Sequence, residues 1–187
     1  MARSRSLAAR FFAAAMLVAA IINLIPMQTA SAASSLLDAA ALNIVRAGHT
    51  ATLLPNGKVL VAGGLISISE STNTVEIYDP ASNTWTMAAA MSTARAAHTA
   101  TLLANGKVLV AGGFTSAAGL TSSAEIYDPD SDRWSPANNM QQARTSHTAT
   151  LLENGSVLIA GGSSTTNSNG GSALASLETY DPDADTW

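Results

Sequence analysis

RAGHTATLLPNGKVLVAGG, residues Arg46–Gly64, is the stretch that decides how this chain folds. It returns as Arg95–Gly113, changed only at Gly48/Ala97 and Pro55/Ala104, and more loosely as Arg144–Gly162, 49 residues on each time. Within it, Thr50 to Leu54 is rich in residues that favour a pleated surface. Asn56-Gly57 follows, and both residues tolerate the positive φ of a type I′ hairpin turn. Val59 to Ala62 is a continuous apolar run, as expected of a strand covered on both faces. Gly63-Gly64 ends it, where either the backbone bends sharply or a neighbour comes too close for a Cβ.

The repeat extends further along the chain. Glu76-Ile-Tyr78-Asp-Pro80 recurs as Glu125-Ile-Tyr127-Asp-Pro129 and as Glu178-Thr-Tyr180-Asp-Pro182, and each copy closes on a tryptophan, Trp85, Trp134 or Trp187. The third copy is four residues longer between its glycine pair and its glutamate. A third strand is expected around Val75 to Tyr78, with Asp79-Pro80 turning the chain into a fourth near Trp85. Four antiparallel strands in each unit of about 50 residues, repeated, describe an all-β chain of propeller blades.

The glycine pair after an apolar strand, with the spaced Tyr and Trp, resembles the kelch repeat. The form His-Thr-Ala-Thr-Leu-Leu-x-Asn-Gly-x-Val-Leu-(Val/Ile)-Ala-Gly-Gly is similar to repeats of exported bacterial proteins related to the central domain of galactose oxidase. The resemblance covers Arg46 to Trp187 and implies three kelch-type blades: 46–94, 95–143 and a truncated 144–187. Propellers close with about 4–8 blades, so three make an incomplete ring. Either the sequence is part of a longer one, or self-association of two chains completes a six-bladed ring. The chain alone is expected to be soluble only as an oligomer, or not at all.

Ahead of the blades, Arg3, Arg5 and Arg10 precede an apolar run from Phe11 to Ile25, and Ala30-Ser31-Ala32 supplies small residues for cleavage. This reads as a signal peptide over 1–32, followed by a linker over 33–45. The alternative is an uncleaved anchor, for which the run is shorter than the ~20 residues a spanning helix needs. A secreted or cell-envelope protein, bacterial by its lack of cysteine, is expected. After cleavage six basic and thirteen acidic residues remain, a net charge of −7. With no basic cluster, neither nucleic acid nor, after signal cleavage, a membrane is an expected partner. The chain has no cysteine, which excludes disulfides, thiolate metal sites and a cysteine nucleophile.

Residues present in every copy serve the blade; unrepeated ones are where a particular function can sit. His49, His98 and His147 recur, and equivalent positions in successive blades cannot converge within about 2.1 Å of one zinc. They are expected as hydrogen-bonded rings at the start of each inner strand. Arg46, Arg95 and Arg144 recur with Glu76, Glu125 and Glu178, and an Arg–carboxylate bridge inside or between blades is expected to fix their register. Gly63, Gly64, Gly112, Gly113, Gly161 and Gly162, together with Tyr78, Tyr127, Tyr180, Trp85, Trp134 and Trp187, are likewise structural. The acidic runs at Asp128–Asp132 and Asp181–Asp185 resemble half a calcium loop but lack its glycine and its closing glutamate. No metal, cofactor or catalytic residue is expected.

The unrepeated positions lie in the loops after the glycine pairs, 65–74, 114–123 and 163–177. Ile66, Ile68, Phe114, Asn167 and Asn169 are the candidate binding residues, since loops on a rigid scaffold are where recognition sits. An unknown extracellular protein or glycan is the expected partner of a non-enzymatic interaction scaffold. The alternative, implied by the resemblance, is a fragment of a galactose oxidase-like, copper-dependent enzyme. That family's site uses tyrosines, histidines and a cysteine, and nothing in this chain maps onto it.

Overall fold

The computed structural model describes residues 39–165 and 173–187; the signal segment 1–32 and the candidate residues Asn167 and Asn169 lie outside the described residues. All regular elements among the described residues are strands. Sheet 1 is a meander of β1 (Thr50–Leu53), β2 (Val59–Ala62), β3 (Val75–Asp79) and β4 (Thr84–Ala88). Sheet 2 repeats it with β5 (Thr99–Leu102), β6 (Val108–Ala111), β9 (Ala124–Asp128) and β10 (Arg133–Ala137), and a small hairpin of β7 (Phe114–Thr115) and β8 (Gly119–Leu120) interrupts it. Sheet 3 has β11 (Thr148–Leu151), β12 (Val157–Ala160) and β13 (Leu177–Tyr180); a single bridge between Asp181 and Thr186 stands where the fourth strand would be. Three blades of an incomplete propeller are therefore present.

Register is the same in each blade. Thr50 faces Ala62, Val61 faces Glu76 and Tyr78 faces Trp85, and the equivalents in sheet 2 repeat these pairs. The first strands of neighbouring sheets, β1 with β5 and β5 with β11, touch one another. Because side chains alternate across a strand, each apolar β2-type run serves two cores at once. Leu60 and Ala62 pack with Val108, Val110 and Tyr127 of the next sheet, while Leu109 and Ala111 pack on Val157, Ile159 and Tyr180. Apolar burial between sheets therefore supplies the main stabilisation, in two slabs.

The glycine pairs do both things expected of them. Gly112 and Gly113 have φ of +66° and +104°, and a Cβ on Gly112 would lie 2.8 Å from both the Arg144 carbonyl oxygen and His147 Cε1. The next sheet comes too close for any other residue.

Candidate interaction face

A four-stranded meander places its first and third turns at one end and its middle loop and exit at the other. Here one end carries the Asn-Gly and Asp-Pro turns. The other carries the loops after Gly63-Gly64, Gly112-Gly113 and Gly161-Gly162, with the connectors between sheets. This second end holds the unrepeated residues Ile66, Ile68 and Phe114.

Each loop is closed at its neck by the blade's arginine. Arg46 donates through Nη1 to the carbonyls of Gly63 (2.7 Å) and Thr74 (2.9 Å), and through Nη2 to Thr74 Oγ1 and Glu76 Oε1. Arg95 does the same to Gly112, Ser123 and Glu125, and Arg144 to Gly161, Ser176 and Glu178. All three guanidinium groups are wholly buried, and the ion pairs with the glutamates measure 2.7–2.9 Å. The bridge is thus inside each blade, and its fork geometry is what lets one side chain grip two carbonyls and a carboxylate. Burial lowers the pKa of the Arg95 guanidinium, against the opposing charge of Glu125.

The same carboxylates hold the connectors. Glu125 accepts from the Ser92 and Thr93 N–H groups, Glu178 from those of Gln141 and Gln142, and Glu76 from those of Asn43 and Ile44. Burial opposes ionisation of Glu76, but the hydrogen bonds from Asn43, Arg46 and Ile44 outweigh it and hold its carboxyl below the usual range. Residues 40–44, read from the sequence as linker, therefore dock on sheet 1 as 89–93 dock on sheet 2.

On this base the first loop is fixed in shape. Leu65 bridges both Ala47 and Ser71, the Ile66 N–H donates to the Glu70 carbonyl at 2.9 Å, and Ser71 Oγ meets Ser116 Oγ of the next loop at 3.0 Å. Ile66 is exposed and Ile68 wholly so. Phe114 differs from expectation: it is half-buried, pairing with Leu120 in the β7–β8 hairpin and bridging Ala96, so it serves the loop's framework rather than its tip. Val45, 78 % exposed, was not among the sequence candidates. It stands where the other copies have Ala94 and Ala143, and that single-copy difference was the signal available. Two residues on, Ala47 bridges Leu65, so Val45, Ile66 and Ile68 rise from backbone segments tied together.

The repeated residues are engaged elsewhere. His98 Nε2 lies 2.9 Å from Thr50 Oγ1 and His147 Nε2 2.9 Å from Thr99 Oγ1, each reaching back to the preceding sheet. Their Nδ1 atoms are buried with no hydrogen-bond partner among the described residues. Tyr78, Tyr127 and Tyr180 stack on Trp85, Trp134 and Trp187 with centroids 4.9–5.0 Å apart. Their hydroxyls donate to Asn83, Asp132 and Asp185. Burial and then Asp132 push the Tyr127 phenol upward, and Tyr180 behaves likewise through burial and Asp185. In the acidic turns, Asp128 caps the Asp130 N–H and pairs with Lys107, which holds its carboxyl below its usual range, while Asp132 accepts from Tyr127 and the Ala89 N–H. Among the described residues no three potential ligands gather at one point.

Residues 39–187 match the family described as the Attractin/LZTR1 beta-propeller. No curated protein matches the chain.

Proposed function

From the premise that the chain belongs to the Attractin/LZTR1 beta-propeller family, a kelch-type propeller and hence a protein-interaction scaffold, we propose that it binds an extracellular or envelope protein through the loop end of its blades. The observation that carries this reading is the trio Val45, Ile66 and Ile68, exposed on segments held rigid by the Leu65 bridges and the Arg46 fork. Apolar side chains on a pre-ordered loop give up little conformational entropy on binding, which is how a small patch gains affinity. Export is supported by the basic start, the apolar run and the Ala30-Ser31-Ala32 site.

The test presents the chain, immobilised, to secreted and envelope protein fractions, with the Val45→Ser/Ile66→Ser/Ile68→Ser triple variant beside it. A partner is expected to bind the parent and to lose at least tenfold in affinity with the variant. Met87→Ser, altering an exposed apolar residue on the outer strand β4, is expected to bind as the parent does. Equal binding by all three proteins would refute the reading.

A further inference from the structure

The Asn-Gly turns of sheets 2 and 3 share one pattern of hydrogen bonds and differ in what guards them. In each, the glycine N–H donates to the leucine carbonyl two residues before the asparagine, Gly106 to Leu103 and Gly155 to Leu152, both at 3.0 Å. The asparagine Oδ1 accepts from the N–H two residues on, Asn105 from Lys107 and Asn154 from Ser156, both at 3.1 Å. Asn105 and Asn154 are both exposed. With no Cβ on the glycine, nothing hinders closure of a ring between its nitrogen and the asparagine side chain.

Two guards present in sheet 2 are missing from sheet 3. A Cβ on Gly106 would lie 3.6 Å from Cγ of Pro55, so the turn of sheet 1 covers the turn of sheet 2. Ala104 holds the equivalent place ahead of Gly155, and a Cβ on Gly155 would meet nothing within 4 Å. The preceding turn is present in both cases, and Ala104, Asn154 and Gly155 line one groove, so the difference lies in proline against alanine. The second guard is an ion pair. Lys107 is tied to Asp128 at 3.0 Å, as Lys58 is to Asp79, which clamps the strand leaving the turn. Ser156 takes the lysine's place in the third copy, and a hydroxyl offers no such clamp to Asp181.

We propose that Asn154 is a site of self-modification, converting to aspartate and isoaspartate ahead of Asn105 in the folded chain. The Gly155 nitrogen gives up its proton and attacks Asn154 Cγ; the amide C–N bond breaks and ammonia leaves with that proton. Water then opens the succinimide at either carbonyl. The Gly155–Leu152 hydrogen bond must open first, so conversion follows how often the turn loosens. The new carboxylate enters a groove lined by Asp181 and Asp183, without the lysine that Lys107 supplies to the groove before it. Isoaspartate also adds a methylene to a turn pinned by the Leu152 N–H to Ser156 carbonyl bond of 2.8 Å. The conversion therefore weakens the β11–β12 hairpin, independently of what the loop end binds.

The test incubates the purified chain in mildly alkaline buffer and follows each Asn-Gly peptide by mass spectrometry, which reads the mass gained when an amide becomes an acid. Asn154 is expected to convert on the order of three- to tenfold faster than Asn105, the scale of one lost packing contact and one lost surface ion pair. In denaturant the two are expected to convert at similar rates. Ala104→Pro and Ser156→Lys are each expected to slow Asn154, and Pro55→Ala to quicken Asn105, with circular dichroism checking that each variant is folded. Asn105 converting as fast as Asn154 in the folded chain would overturn the proposal. So would folded variants that leave both rates unchanged, or a gap that persists undiminished in denaturant.

Discussion

His98 of the second sheet and Thr50 of the first share a hydrogen bond of 2.9 Å across 48 residues of sequence, at the point where the two inner strands meet. His147 and Thr99 repeat it one sheet on. Both rings are shifted toward the neutral form by their surroundings. Burial, then Arg95 and the neighbouring histidines, depress the His98 pKa to about 3; burial, then Arg144, depress that of His147 to about 4 despite the opposing Ala111 carbonyl and Glu178.

Stability is therefore expected to fall as the pH drops below about 6.5. The unfolded chain takes up protons there, while the folded rings resist until about pH 4 and then 3. The loss is on the order of 1 kcal/mol per pH unit for each ring across that window. Urea midpoints between pH 7 and 4 should show it, and His98→Gln should flatten the slope. Protonation of Glu76, whose folded pKa is lowered, removes further stability only below its ordinary 4.5.

Arg95→Met leaves Glu125 buried with its charge unpaired and is expected to cost about 3–5 kcal/mol in urea unfolding. Arg95→Lys should recover only a fraction, because an ammonium cannot span the Gly112 and Ser123 carbonyls and the carboxylate together. Removing both charges with Arg95→Met/Glu125→Leu should also fall short of the parent, since the Ser92 and Thr93 N–H groups lose their acceptor.

Gly112→Ala is expected to prevent close seating of sheet 3, lowering the thermal midpoint by ten degrees or more, on the scale of about 3 kcal/mol or above. Among the described residues a Cβ on Gly161 meets only Leu174 O, at 3.4 Å, so Gly161→Ala should cost only the roughly 1 kcal/mol of a left-handed alanine.

Asp132 accepts from both Tyr127 and the Ala89 N–H at a φ of +49°, and Asn83 fills that position in the first blade. Asp132→Asn is expected to be nearly neutral and Asp132→Ala to cost about 1–3 kcal/mol. A calcium chelator should leave the parent's melting curve unchanged. A downward shift would revive the calcium reading of these turns.

Strand positions were legible because alternation, Asn-Gly and the glycine pairs are local signals: Val59–Ala62 falls where the apolar run placed it, and β3 and β4 surround Tyr78 and Trp85 as read. The arginine–glutamate pairing was legible from its recurrence. Its grip on the loop neck was not, because the Gly63 and Thr74 acceptors are carbonyls that any residue could supply. The partner of His98 was hidden for a related reason. Thr50 is one of many threonines, and only the stacking of sheets selects it. The half-buried place of Phe114 was not legible, since a two-residue strand leaves no periodicity to read. The exposure of Val45 depends on a connector whose docking on Glu76 has no sequence motif of its own.

That docking offsets the inheritable module from the visible sheet. The segment ahead of each arginine is gripped by the glutamate downstream, so a gene duplication cut at Arg95 would part an arm from its clasp, while one cut just before Ala89 would copy a self-sufficient cassette. Blades added or lost over evolutionary time are expected to break at the second kind of seam.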